Sequence, residues 1–381
     1  MQEFVYYDPL YGYIDLCPTS KKIIQTPEFQ RLRNIKQLGL ASTVYTGATH
    51  TRFEHSIGTY HLSKKILNKI QSSCELTPKD ITTISIAALC HDLGHGPVSH
   101  AFDDLFFKEK EGVSEAWRIH ESRSCIILRY IVVKYGIIEL NVVVDDICDL
   151  INPEKKHLPN YFYEIISGYI DVDKLDYLNR DCYHIGFIRE INVHNFIKNC
   201  KIINKRLAFS KKIYYDILQL FLVRHRLHIE VYQSAKVRAM ELLHVEFMKI
   251  VLKENYSSVD EFCRLNDSIF TSTFLECASK YLTPDEYLQG TKILDSINRV
   301  HIYELHKEIV FQNPEEAHNN YMQLRDTVDN DMLLDFSFIG FRENPMENIL
   351  LFEGKKIVSI NSKIYDYSEC IIRYYKKNLL M

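Results

Sequence analysis

Apolar residues along this chain recur mostly three and four positions apart, the interval that gathers them on one face of a helix. After Thr77-Pro78-Lys79-Asp80 the residues Ile81, Ile84, Ser85, Ala88 and Leu89 keep that interval until Gly94, Gly96 and Pro97 end it. Thr26-Pro27-Glu28 and Thr283-Pro284-Asp285-Glu286 open in the same way. Thr takes the N-cap, Pro the first helical position, and an acid the first turn. Between 213 and 252, Ile217, Leu220, Phe221, Arg224, Leu227 and Val231 predict two helices or one bent one. Short β-like runs fall at 201–209, 335–341 and 355–360. The expected class is mostly α, with a smaller α+β lobe at the C-terminal end. A boundary near 254–260 divides a core, 1–255, from a lobe, 256–381, packed upon it.

Composition supports this class. With 13 Gly and 10 Pro in 381 residues, the chain is short of the tight turns an all-β fold needs. A hydrophobic share of 46% suffices for one large core or two fused lobes. The formal net charge of -4 lacks the Lys and Arg excess that sequence-independent nucleic-acid binding requires, so no strong binding of that kind is expected. No stretch approaches ~18 uninterrupted apolar residues, and no membrane span is expected. The N-terminus has no basic start followed by an apolar run. Ten scattered cysteines form no Cys-x-x-Cys pair. They read as reduced thiols of the cytoplasm, or of the nucleus.

The chemistry concentrates in His91-Asp92-Leu93-Gly94-His95-Gly96-Pro97-Val98-Ser99-His100, at the end of the apolar helix pattern. Imidazole and carboxylate suit a divalent transition ion. The glycines allow a sharp turn and close approach. Neighbours on a helix diverge by about 100°, so His91 and Asp92 share an ion only if it sits between them and other ligands complete its shell. His55 and Asp173 are the candidates. With them the set has two imidazoles and two carboxylates, leaving open positions of the kind a catalytic ion needs. A lone His-Asp pair among 16 His is ordinarily a surface or capping pair, so the surrounding words decide.

HTRFEHSIGTYHL, ALCHDLGHGPVSHAFDDLF, IHES, IDVDKLDYLNRDCYHIG and RHRLHIEVYQSAK follow one another in fixed order, after DPLYGYIDL and TPEFQRLRNIKQLGL. Together they resemble the HD domain of the SAM-and-HD-domain deoxynucleoside triphosphate triphosphohydrolases, from Asp8 to Leu252. The resemblance implies an HD helical core that removes triphosphate whole from a dNTP. It implies an ion at His55, His91, Asp92 and Asp173 (Fe, Mn or Zn, with Mg on the phosphates) that activates a water against the α-phosphorus. His100 would be the general acid, oriented by Asp103, with His95 and His120 near the α-phosphate. Arg52, Lys174 and Arg224 would hold phosphates. Tyr177 would pack under the deoxyribose, disfavouring a 2′-hydroxyl. Gln37, Leu38, Asp181, Tyr232 and Gln233 match sugar and base contacts. Without the resemblance, Arg224 reads as a solvated helix cation and Tyr177 as ordinary core. Asp176 reads as a structural partner of Arg180 at i, i+4.

Some positions depart from the family. The chain starts almost at the HD core, so the SAM domain is expected to be absent, and the stretch after Leu252 is shorter than a full family core. Nucleotide-regulated members bind guanine nucleotide at a subunit interface. Here the aligned positions are Gln25 and Phe4, with Gln30 and Arg33 kept and Ser210 at a basic position. Gln cannot offer guanine the paired acceptors of a carboxylate, which argues against dGTP or GTP activation. A homodimer or higher homo-oligomer is the default for such a core. The competing functions are an HD phosphohydrolase acting on ribonucleotides, a signalling nucleotide or a nucleic-acid phosphoester, and a non-catalytic nucleotide-binding module.

Overall fold

A computed structural model describes residues 5–108, 110–187, 191–253, 256, 258–299, 303–325, 327–329, 332–340, 343–358 and 368–376. Phe4, positions 254, 255 and 257 of the expected boundary, and positions 341 and 359–360 of two β-like runs lie outside them.

The three legible helix starts form as their caps dictate. Thr77 accepts from the Asp80 amide while the Asp80 carboxylate accepts from the Thr77 amide, a reciprocal cap opening the helix Pro78–Cys90. Thr283 and Glu286 do the same for Pro284–Asn298, and Thr26 caps the short helix Pro27–Gln30. The 213–252 segment is two helices, Tyr214–Leu227 and Ala235–Val251. A π-helical turn, His228–Tyr232, sits between them.

At the centre the helix Arg52–Ile70 packs against Pro78–Cys90 and Val172–Ile185. It buries Phe53, Ile57, Leu62, Ile66, Leu67 and Ile70. Each such side chain contributes about 1.5–3 kcal/mol of burial before the entropy of ordering is charged against it. Helices Val144–Ile151 and Asn160–Ser167 also pack against Pro78–Cys90.

The strands are few. Tyr6–Asp8 and Gly12–Ile14 form an antiparallel pair. The run at 201–209 is a hairpin rather than one strand. Cys200–Ile203 and Arg206–Ser210 pair antiparallel, and Asn204 and Lys205 at the turn both have positive φ. Two successive left-handed residues give the hairpin the twist its strands need. Arg206–Ser210 also pairs in parallel with Leu350–Glu353, which continues to Lys356–Val358. This sheet therefore joins residues on either side of the expected boundary. A second sheet places Glu369–Lys376 between Glu304–Phe311 and Met332–Ile339. Among the described residues no helix is long and apolar enough to cross a membrane.

Candidate metal centre and active site

Three helix ends converge. His55 stands in the first turn of Arg52–Ile70, and Asp173 in the first turn of Val172–Ile185. His91 ends Pro78–Cys90 as its C-cap, so Asp92 leaves the helical path and both side chains turn to one point. His55 Nε2 lies 3.2 Å from His91 Nε2, 3.1 Å from Asp173 Oδ1 and 3.5 Å from Asp92 Oδ2. His91 Nε2 lies 3.3 Å from Asp92 Oδ1 and 3.6 Å from Asp173 Oδ1. Asp173, distant in sequence, thus meets both imidazoles.

The outer nitrogens fix the inner ones. His91 Nδ1 donates to the Ala88 carbonyl at 2.8 Å, and His55 Nδ1 donates to Asp176 Oδ2 at 2.8 Å. Each Nε2 therefore faces the centre, the arrangement that orients metal-ligating histidines. Burial opposes charge on His55, yet Asp173, Asp176 and Asp92 push its pKa up to about 10. The cluster demands positive charge, and a divalent ion would take the place of that proton. Behind His55, Asp176 is held by Arg180 through two bonds of 2.9 Å, and Arg180 reaches Asp8 at 2.8 Å. The i, i+4 pairing expected of Asp176 and Arg180 is present.

The turn after Asp92 is built differently from expectation. The left-handed residues are Val98 (φ 53°) and Ser99 (φ 56°), not the glycines. Gly94 and Gly96 are needed for close approach. A Cβ would stand 2.0 Å from the His120 carbonyl oxygen at the first and 2.3 Å from the Phe102 ring at the second. A β-branched residue in this region is strained. Asp267 holds it, accepting from the Val98 amide at 2.7 Å and the Lys36 amide at 2.9 Å. Ser124 accepts from the Gly94 amide and donates to the His91 carbonyl.

Beside the candidate metal donors lie three imidazoles. His95 stacks on His120 with centroids 4.0 Å apart, and His100 stands edge-on to both at 5.0 and 5.7 Å. Asp103, expected to orient His100, stands in one cluster with His95 and His100. Asp103 approaches His95 Nδ1 at 3.0 Å and His120 Nδ1 at 3.5 Å, and pairs with Arg123. Asp103 lies in a π-helical turn, Phe102–Phe107, whose wider spacing redirects its side chain. Burial works against the charge on Asp103, but Arg123 and His95 hold its pKa well below the usual carboxylate range. His100 reaches the solvent of the cavity while protein surrounds it. That enclosure, with His95 and Arg52 nearby, lowers its pKa to about 3.

These groups line one cavity of about 460 Å³. His91, Asp92, Asp173, His95, His100 and His120 are on its wall, as are Gln37, Leu38, Arg52, Lys174, Tyr177, Asp181, Arg224, Tyr232 and Gln233. His55 and Asp103 stand behind it. Arg52 donates to Asp92 at 2.7 Å, to Ser99 Oγ at 3.0 Å and to the Gln37 carbonyl at 3.3 Å. Lys174 donates to Asp171 and the Gly168 carbonyl, and Arg224 reaches the Gly340 carbonyl at 3.4 Å. Asp181 accepts from Tyr232 at 2.5 Å and faces His50 at 2.8 Å. The side-chain oxygens of Gln37 and Gln233 are buried with no hydrogen-bond partner among the described residues, which suits them to a polar ligand. Sequence reasoning missed Arg123, Ser99 and Asp267. Arg123 left no signal, because it stands among the polar residues His120-Glu121-Ser122-Arg123-Ser124 that open the helix His120–Lys134.

Of the positions compared with the family's guanine-nucleotide site, Gln25 is the C-cap of Pro18–Ile24. Gln30 donates to the Ile24 carbonyl, and Arg33 bonds Gln30 and lies 3.5 Å over the Phe53 ring. Ser210 caps the turn Lys211–Ile213.

The HD domain family model matches residues 52–181. The chain is 34% identical over 305 residues to an HD domain-containing protein, L394, of Acanthamoeba polyphaga mimivirus, covering 74% of this chain and 65% of that one. It is 32% identical over 322 residues to the deoxynucleoside triphosphate triphosphohydrolase SAMHD1 homolog of Dictyostelium discoideum, covering 80% and 60%. It is 29% identical over 407 residues to the human deoxynucleoside triphosphate triphosphohydrolase SAMHD1, covering 91% and 64%. The chain thus spans less than two thirds of the length of each of these three.

Proposed function

This chain is an HD-superfamily protein that resembles the SAM-and-HD-domain triphosphohydrolases, and from that premise we propose that it hydrolyses deoxynucleoside triphosphates to deoxynucleoside and inorganic triphosphate. One observation carries the reading. The inward donors of His91, Asp92 and Asp173, backed by His55, open onto the same cavity as Arg52, Lys174, Arg224, three imidazoles and Tyr177.

His55, His91, Asp92 and Asp173 would hold a divalent ion (iron, manganese or zinc, with magnesium accompanying the phosphates), which would supply a Lewis acid and lower the pKa of water toward about 7. The protein's own groups do the rest. Arg52, Lys174 and Arg224 counter the charge of the triphosphate, Arg through a planar fork and Lys as a point charge. Asp103 anchors His95, which stacks against His120 and keeps both rings upright beside the α-phosphate. His100 carries the proton for the leaving 5′-oxygen. Its ring is neutral in the free protein. A bound polyanion raises its pKa toward the range where a general acid works. Tyr177, one turn after Asp173, supports the sugar. Gln37 and Gln233 turn their unpaired oxygens to the nucleoside.

The test is chromatography of products from each dNTP and its rNTP partner, with metal analysis of the same sample. Intact triphosphate from dNTPs only is expected. Pyrophosphate and monophosphate as products, or equal turnover of rNTPs, would overturn the proposal.

A further inference from the structure

A second hollow, about 570 Å³ and open to solvent, adjoins the active-site cavity. The two share Ser167, Lys174 and Arg224 as a common wall. None of the metal donors, nor His95, His100 or His120, lines the outer hollow. It therefore lies beyond Lys174 and Arg224 from the reacting atoms. Its lining adds Arg206 and Lys156. Among the described residues its one carboxylate, Glu164, is already engaged, accepting from Arg206 Nε and from the Leu207 amide at 2.6 Å. Of the four cations, Arg206 pairs with Glu164 and Lys174 with Asp171, so the chamber keeps an excess of positive charge suited to an extended anion.

We propose that this outer chamber is a subsite for condensed phosphate, in which a chain held by Lys174 and Arg224 runs on to Arg206 and Lys156. The inference rests on the reading above, in which Lys174 and Arg224 hold the substrate's phosphates. Two consequences follow. Inorganic triphosphate departs through this chamber, and linear polyphosphate longer than three units occupies both chambers at once and competes with substrate.

Lys156 is exposed and has no part in the catalytic machinery, so its charge can be reversed without risk to the core. The experiment compares inhibition of dNTP hydrolysis by sodium tripolyphosphate and by medium-chain sodium polyphosphate, in the wild type, Lys156→Glu and a control reversal at exposed Lys280. The longer chain is expected to inhibit the wild type roughly tenfold more strongly than tripolyphosphate. Lys156→Glu should erase most of that advantage, leaving tripolyphosphate inhibition and kcat/KM within about twofold, while Lys280→Glu leaves all three unchanged. Chelation of the divalent ion would inhibit all variants alike. Equal potency of the two chains, or equal effects of the two reversals, would overturn the subsite. If no dNTP is hydrolysed, the proposed function fails separately. The subsite is then read by calorimetry of polyphosphate binding to wild type and Lys156→Glu, and identical affinities there would reject it.

Discussion

His55 and His91 commit their outer nitrogens to Asp176 and the Ala88 carbonyl, and this settles what the inner nitrogens can do. The meeting of His55, His91, Asp92 and Asp173 was legible because residue types and word order carry it. The partner of Asp103 was not, since a three-residue offset does not say which imidazole a carboxylate will face once a π-turn intervenes. If His100 is the proton donor, His100→Gln should retain the ion by elemental analysis yet lower kcat by ~10² to 10⁴. Unaltered kcat would remove His100 from the mechanism. Away from the site, His244 is buried, donates to the Met240 carbonyl and lies against Phe270. Burial lowers its pKa to about 4. An unfolded chain protonates that ring near 6.5, so stability is whole above that pH and drains away as pH falls toward 4. The amount is on the order of 3 kcal/mol. His244→Gln should abolish that portion of the acid sensitivity, seen as a shrinking difference between wild-type and variant urea curves from about pH 7 to about pH 4.5. A constant difference would refute it.

At the scale of elements, the helix starts were readable because capping is local chemistry, settled within four residues. The 201–209 hairpin was not, because its Asn204-Lys205 turn lacks the glycine that usually marks one. Helix packing is equally hidden. Gly58 looks incidental in the sequence, yet the helices Arg52–Ile70 and Val172–Ile185 meet there. A Cβ would stand 2.0 Å from Asp176 Oδ1 and 2.5 Å from Arg180 Nη2. Gly58→Ala should therefore cost about 1–3 kcal/mol through overpacking. It should also shift Asp176 from His55 and weaken metal affinity roughly 10- to 100-fold. Thermal melts and chelator competition would measure the two effects. Metal affinity equal to wild type would show that Asp176 does not position His55.

Across the whole molecule, residues far apart in sequence complete the centre. Arg31 donates to the Leu93 carbonyl from one side and to the Leu265 carbonyl from the other. Buried Arg238, on the cavity wall, pairs with Asp335 of the outer sheet. Asp267→Ala would strip acceptors from two amides and release the left-handed Val98–Ser99 turn that backs Arg52. A loss of roughly 2 kcal/mol or more is expected, at 1–3 kcal/mol per abandoned donor, with a raised KM for triphosphate substrates. A lower melting temperature with unchanged KM would confine Asp267 to a structural role. The Asp267 contacts have one more consequence, for grafting. A 52–181 fragment moved into a foreign scaffold would carry every candidate metal donor but neither Asp8 behind Arg180 nor the carboxylate that pins its own bend. Any portable portion has to reach back to Asp8 and forward at least to Asp267.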